Sequence, residues 1–408
     1  MTQRNLFDPA VRENPYPFFA ACREAAAVVQ VEPLSAWLVT RYDEVVEVLR
    51  NPEVYSSEAM RGAMMQGRTE EFEGDGPPAM VITTDPPKHD RLRELVNRGF
   101  TPRRIGELEP RIRAIADAIL ADCDAREGID FVRDFAVPFP VRVIAELLGV
   151  EPDRFEDFKR WSQAVVATFG SLPTPEQVAA SEACFDEMDE YLSGLAEQRR
   201  RAPADDLISV LVSKEDADVL TDHEMIGFVI LLLIAGNETT TNLLGNTILA
   251  LHDCSDTLER VRENAALVPA LVEEALRWSS PVQLLFRQTR EETTLGGVQI
   301  PSGAIVLPCY AAANRDPRRF ADPDRFDIDR NTQGHLAFGL GIHFCLGAGL
   351  ARLEARVALE AWTQRLPLWK RVDEQVAWTP SPFLRGPAAL PLTRSLSSAA
   401  AAPRPTVA

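Results

Sequence analysis

The chain has 408 residues, 46% hydrophobic and 25% charged, a balance that excludes a disordered or fibrous chain and suits a globular enzyme. With 43 Lys and Arg against 61 Asp and Glu, the net charge of -18 excludes broad binding to nucleic acid or anionic membrane, although a local basic patch is still compatible with it. Six irregularly spaced cysteines (22, 123, 184, 254, 309 and 345) argue for a reducing cytoplasm and against a disulfide framework.

Residues 1–11 are polar and lack the apolar core of a signal peptide. Short β-prone runs at 28–31 and 37–40 precede helical spacing at 42–50. From 60 to 82 the pattern gives way to Gly, Pro and acidic residues, which predicts a long loop. Helical periodicity then covers 91–100, 105–122, 141–148, 155–168, 176–198 and 207–212. Thr221 and Glu224 form a capping box opening an apolar helix that runs to about 251. Its apolar run at 226–235 is too short to span a bilayer and leads directly into Asn237 and Glu238. A helix at 267–278 follows, then a small β-region at 284–310 punctuated by Gly296-Gly297 and Pro301-Ser302-Gly303. The helix at 346–366 places Leu346, Leu350, Leu353 and Val357 on one face. The expected fold class is mainly α with small β-sheets (α+β), a single domain over 1–394, and a disordered Ser/Ala/Pro-rich tail at 395–408.

Three constellations carry chemistry. Cys345 lies in Phe338-Gly339-Leu340-Gly341-Ile342-His343-Phe344-Cys345-Leu346-Gly347, just before a helix, where the helix dipole and free N–H groups favour a thiolate. A zinc site on His343 and Cys345 lacks a second Cys/His pair at ligand spacing. Ala235-Gly236-Asn237-Glu238-Thr239-Thr240 places a carboxylate inside the most apolar helix, where it needs a partner, a water route or a task. Glu274 and Arg277, three residues apart on one helix face, can pair.

The pattern F-x-x-G-x-H-x-C-x-G resembles the haem-binding loop of the cytochrome P-450 family, and A-G-x-E-T resembles that family's oxygen groove. The resemblance runs from about Asn14-Pro15-Tyr16 to Arg385-Gly386 and includes Asn314-Arg315-Asp316-Pro317 and Phe326. It implies haem b (iron protoporphyrin IX) held between the long helix and the helix after the cysteine loop, with Cys345 as axial thiolate ligand beside Phe338 and Gly347. It implies Thr239 as a hydrogen-bonding alcohol, Glu238 as a proton-relay acid, and Ala235 and Gly236 at the site where O2 approaches. His89, Arg93, Arg287 and His343 match propionate partners. Glu274 and Arg277 match a structural pair that would join Arg330 behind the haem. The loop at 60–82, Phe228, Leu231, Leu232, Val282, Leu285 and the 382–384 segment with Phe383 match substrate-contact regions.

The implied activity is that of a soluble bacterial haem-thiolate monooxygenase. Such an enzyme inserts one atom of O2 into a mostly apolar small molecule, with two electrons from a separate ferredoxin-type partner and its reductase. Arg103, Arg104, Arg111, Arg352 and Arg356 are candidates for the docking patch. A peroxide-driven or isomerising haem enzyme and a non-enzymatic haem sensor are the alternatives.

Overall fold

The computed structural model describes residues 5–60, 79–167, 175–213 and 218–394; the tail and most of the 60–82 loop lie outside these ranges. Its axis is a 32-residue central helix, Asp222–Asp253. The Thr221 hydroxyl accepts from the Glu224 N–H, and the Glu224 carboxylate accepts from the Thr221 N–H, closing the expected capping box. By length and composition this helix could cross a membrane, but most of its apolar window is buried inside the protein. A helix apolar on every side is the core of a large domain. The helices Pro138–Leu148, Phe155–Ala167, Val268–Trp278 and Ala348–Arg365 pack around it. It runs unbroken through Gly236, where a Cβ would lie 3.0 Å from the Ile144 side chain of the crossing helix.

Among the described residues, ten short strands flank the helices: β1 Val28–Val31, β2 Ala36–Val39, β3 Tyr55–Ser56, β4 Gly128–Asp130, β5 Arg287–Thr289, β6 Thr293–Leu295, β7 Val298–Ile300, β8 Ile305–Pro308, β9 Trp369–Arg371 and β10 Pro391–Arg394. One sheet has the order β1-β2-β8-β5-β3, and only the β2–β8 pair is parallel. A second sheet runs β4-β10-β9, and β6 and β7 form a hairpin. The main apolar core joins the helices, and two smaller clusters lie against the first sheet.

Three expected boundaries shift for physical reasons. The 105–122 helix is two helices, Pro102–Glu107 and Glu109–Asp124, because Pro110 lacks an N–H and is accommodated in a first turn. The 91–100 helix starts earlier, at Lys88, after Pro86-Pro87, and ends in a 3-10 turn, Arg98–Phe100. The last long helix starts at Ala348, which leaves Leu346 in the cysteine loop. A π turn at Val132–Ala136, absent from the sequence reading, presents the Ala136 carbonyl to Thr241 of the central helix at 2.9 Å.

Candidate active site

The central helix and the Ala348–Arg365 helix bound a cavity with about 1380 Å³ of empty space, counting its open mouth. Cys345, Phe338, His343 and Gly347 form one wall, and Ala235, Gly236 and Thr239 form the opposite one.

The cysteine loop is shaped by backbone demands. Gly339 and Gly341 have φ of 70° and 74°, and a Cβ at 341 would lie 2.4 Å from the Leu49 carbonyl oxygen. The Cys345 N–H donates to the Phe338 carbonyl at 2.9 Å, closing the loop. Burial raises the pKa of the Cys345 thiol, and the Gly347 N–H, Arg93 and Arg352 offset only part of that. Burial therefore outweighs the helix-terminus effect expected from sequence, since the helix begins three residues further on. Binding of a metal takes such a thiol as thiolate and expels its proton.

The rest of this wall fits a flat cofactor with acidic substituents. A Cβ at Gly347 would meet nothing within 4 Å, so the space beside it is open. Arg93 lines the cavity, has no hydrogen-bond partner among the described residues, and has its pKa lowered by burial, opposed by the Cys345 sulfur. His343 lines the same edge; its Nε2 lies 2.8 Å from the Ser57 hydroxyl. The His89 ring meets His343 edge-on at 4.5 Å and is 2% exposed; its Nδ1 lies 2.9 Å from Asp90, and its Nε2 has no partner. Arg287 is buried next to this group but does not line the cavity, donating to the Phe286 carbonyl at 2.7 Å. Arg93 at the cavity edge, with no partner among the described residues, and the orphaned Nε2 of His89, which does not line the cavity but lies behind His343, are donors of the kind two propionates require.

Opposite Cys345, the Thr239 hydroxyl donates to the Ala235 carbonyl at 2.5 Å. Glu238 does not line the cavity, and it has no hydrogen-bond or ionic partner among the described residues. Desolvation alone pushes its pKa up to about 7.

Of the expected substrate walls, Phe228, Leu231, Leu232, Val282 and Leu285 line the cavity. Phe383 does not. It packs against Phe286 and Phe7, with ring centroids 4.9 and 6.2 Å away, while Pro382 and Leu384 face a separate cleft. Phe100, Ile144 and Leu243, unremarkable in sequence, line the cavity instead.

Glu274 and Arg277 are both fully buried and joined by two bonds of 2.7 Å. Arg277 also donates to the carbonyls of Asn314 and Pro323, and Arg330 reaches Glu274 at 3.4 Å. The five candidate docking arginines are less basic as a group than the sequence suggested. Arg103 pairs with Glu107, Arg104 and Arg111 with Asp205, Arg356 with Glu109 and Glu360, and Arg352 with Glu273. The patch is a neutral ladder of ion pairs.

The sequence profile described as Cytochrome P450 matches residues 10–377. Cytochrome P450 107B1 of Saccharopolyspora erythraea is 42% identical over 398 residues, covering 95% of this chain and 96% of its own. Vitamin D(3) 25-hydroxylase of Pseudonocardia autotrophica is 42% identical, covering 97% and 98%. The structure of cytochrome P450 CYP109Q5 from Chondromyces apiculatus matches with a TM-score of 0.89 at 43% identity, covering 97% and 99%. A cysteine loop facing a threonine-bearing helix across a mostly apolar cavity, on a fold shared end to end with these enzymes, makes the chain a member of the cytochrome P450 family, with haem b as its cofactor.

Proposed function

We propose that this cytochrome P450 monooxygenase acts on a neutral, bulky, apolar substrate and draws its two electrons from a separate ferredoxin-type protein served by a reductase, in the cytoplasm. One observation carries the substrate class: on the central-helix side, the described cavity lining contains no charged or amide side chain, and hydroxyl groups of Thr239 and Thr240 are its only polar side-chain atoms. A carboxylate or ammonium buried there would lose its hydration without compensation. The vitamin D(3) 25-hydroxylase to which the chain is similar acts, by its name, on a molecule of that kind.

Haem bound through a thiolate supplies O2 binding and electron push toward O–O cleavage. The protein's own residues do the remaining work. Cys345 would hold the metal, and Arg93 and His343 on the cavity edge, with His89 behind them, would receive the acidic edge of the cofactor. Phe228, Leu231, Leu232, Val282 and Leu285 hold the substrate and exclude water. Thr239, whose proton is engaged by the Ala235 carbonyl, offers oxygen lone pairs to the cavity and so acts as an acceptor. Glu238, with a pKa of about 7, gains and loses its proton near neutral pH, and it is the acid next in the chain to Thr239, from behind the cavity wall.

The test is optical titration of the purified haem protein. A neutral sterol should shift the Soret band by displacing water at micromolar concentration, whereas a fatty acid of equal length should not. Equal response to both would reject the neutral-substrate reading, and absence of the red-shifted Soret band in the reduced carbon monoxide complex would reject thiolate ligation by Cys345.

A further inference from the structure

Four segments distant in sequence converge behind His343. Asp85 is 5% exposed, and three donors reach its carboxylate: Ser56 Oγ at 2.5 Å, the Ser57 N–H at 3.0 Å and Arg290 Nη2 at 2.5 Å. Burial works against the charge on Asp85, and these three bonds outweigh it, holding the carboxyl below its ordinary range. The Asp85 carbonyl accepts the His89 N–H at 2.9 Å, so the same residue anchors the start of the helix that carries His89 and Arg93. Arg290 is tied to the β3 end by its own N–H, which donates to the Val54 carbonyl.

Ser57 is completely buried, with its backbone N–H spent on Asp85, its carbonyl accepting the Met60 N–H, and its hydroxyl 2.8 Å from His343 Nε2. Nδ1 of His343 has no hydrogen-bond partner among the described residues, and the ring borders the cavity.

We propose that Ser57, locked by Asp85 and Arg290, is a cofactor-positioning residue that donates to His343 Nε2 and thereby keeps the His343 proton on Nδ1, facing the acidic edge of the haem. A ring nitrogen that accepts a hydrogen bond leaves the other to carry the N–H, and partners of this kind one step removed set both tautomer and ring orientation. The hydroxyl is assigned as the donor because its proton has no acceptor other than His343 Nε2 among the described residues. Asp85 links the two histidines of the site, one through Ser57 and the other through the helix start, so one carboxylate registers both against the cofactor. The inference rests on haem binding at Cys345 and adds residues that the cysteine loop does not contain.

The experiment uses the haem-loaded protein. Ser57→Ala should speed transfer of haem to excess apomyoglobin by roughly 10-fold, the lower range for loss of such a supporting partner. Its 15N spectrum should show the His343 Nδ1–H tautomer replaced by a mixture, with the Soret position of the reduced carbon monoxide complex unchanged. Arg290→Gln, at a side chain nearly half exposed, should raise the transfer rate several-fold without opening a buried void. It decides the matter should circular dichroism show Ser57→Ala to be misfolded. Wild-type transfer rates in both folded variants, or an unaltered tautomer in Ser57→Ala, overturn the proposal. A missing carbon monoxide band in the wild-type protein would instead overturn thiolate ligation itself.

Discussion

Thr239 gives its hydroxyl proton to the Ala235 carbonyl one turn back, at 2.5 Å, on the cavity face opposite Cys345. A threonine in that state accepts rather than donates, and its methyl group fills space beside the reacting groups. Thr239→Ala removes the acceptor and leaves the haem site intact. The expected outcome is a normal carbon monoxide band and unchanged NADPH consumption, with coupled product lower by on the order of 100-fold, as for loss of a positioned proton-handling group. The missing electrons should appear as hydrogen peroxide. Measuring product, peroxide and NADPH together checks this, and fully coupled turnover in the variant would remove Thr239 from the mechanism.

Glu238 sits one residue away with its pKa raised to about 7 from an ordinary 4.5, by desolvation. Between those values the folded protein holds a proton that the unfolded chain has released. The stability contribution is therefore full below pH 4.5, is lost as pH rises toward 7, and stays lost above it. The ceiling is roughly 3 kcal/mol at complete desolvation, less where water reaches the side chain. Glu238→Gln cannot ionise, so in urea melts it should match the wild type at pH 4.5 and exceed it at pH 8. An equal difference at both pH values would contradict the assigned environment.

Glu274 and Arg277 form an ion pair with no access to water. Removing one partner strands the other, at a cost of roughly 3–5 kcal/mol. Glu274→Ala should lower stability by that amount and release haem on mild heating, and Arg277→Lys should do little better, because lysine cannot form the two-pronged bond. Thermal melts followed at the Soret band provide the check, and a loss under 1 kcal/mol would mean that the pair is not needed to hold the wall that Asn314 and Pro323 build around it.

The parts of this site that could be read in the sequence are those whose chemistry is local. The cysteine loop compresses ligand, glycine turns and aromatic wall into ten residues, and the capping box at Thr221 lies within four. Pro110 was overlooked: the apolar spacing carries straight across it, although a proline there opens a helix rather than continuing one. Ser57 was not legible, because its partner His343 is 286 positions away and an isolated serine carries no periodic signal. Phe383 was misplaced for a related reason. The sequence puts an aromatic residue near the substrate-contact region, but only the path of the chain reveals that Phe286 and Phe7 take up its ring. The arginine patch was misjudged because charges were counted along the chain, while the carboxylates that neutralise them arrive from other elements.

That neutral ladder yields a distinction between two kinds of arginine. Arg104 and Arg111 share Asp205, which is 79% exposed, in pairs that solvent screens and that contribute little to stability. Arg352 is different: it makes a two-pronged bond to Glu273 and lies 4.5 Å over the Phe338 ring of the cysteine loop. If an acidic ferredoxin docks on this face, Arg104→Glu with Arg111→Glu should slow electron transfer by about 10-fold at low ionic strength, with the deficit fading as salt rises. The carbon monoxide band and haem retention should be unaffected. Arg352→Glu should slow transfer as well, but with faster haem loss, because it releases Phe338 as well as a charge. Stopped-flow reduction across a salt series separates the two. A double variant with the wild-type rate and wild-type salt slope would move the docking site to another face and leave Arg352 a role in holding the cysteine loop alone.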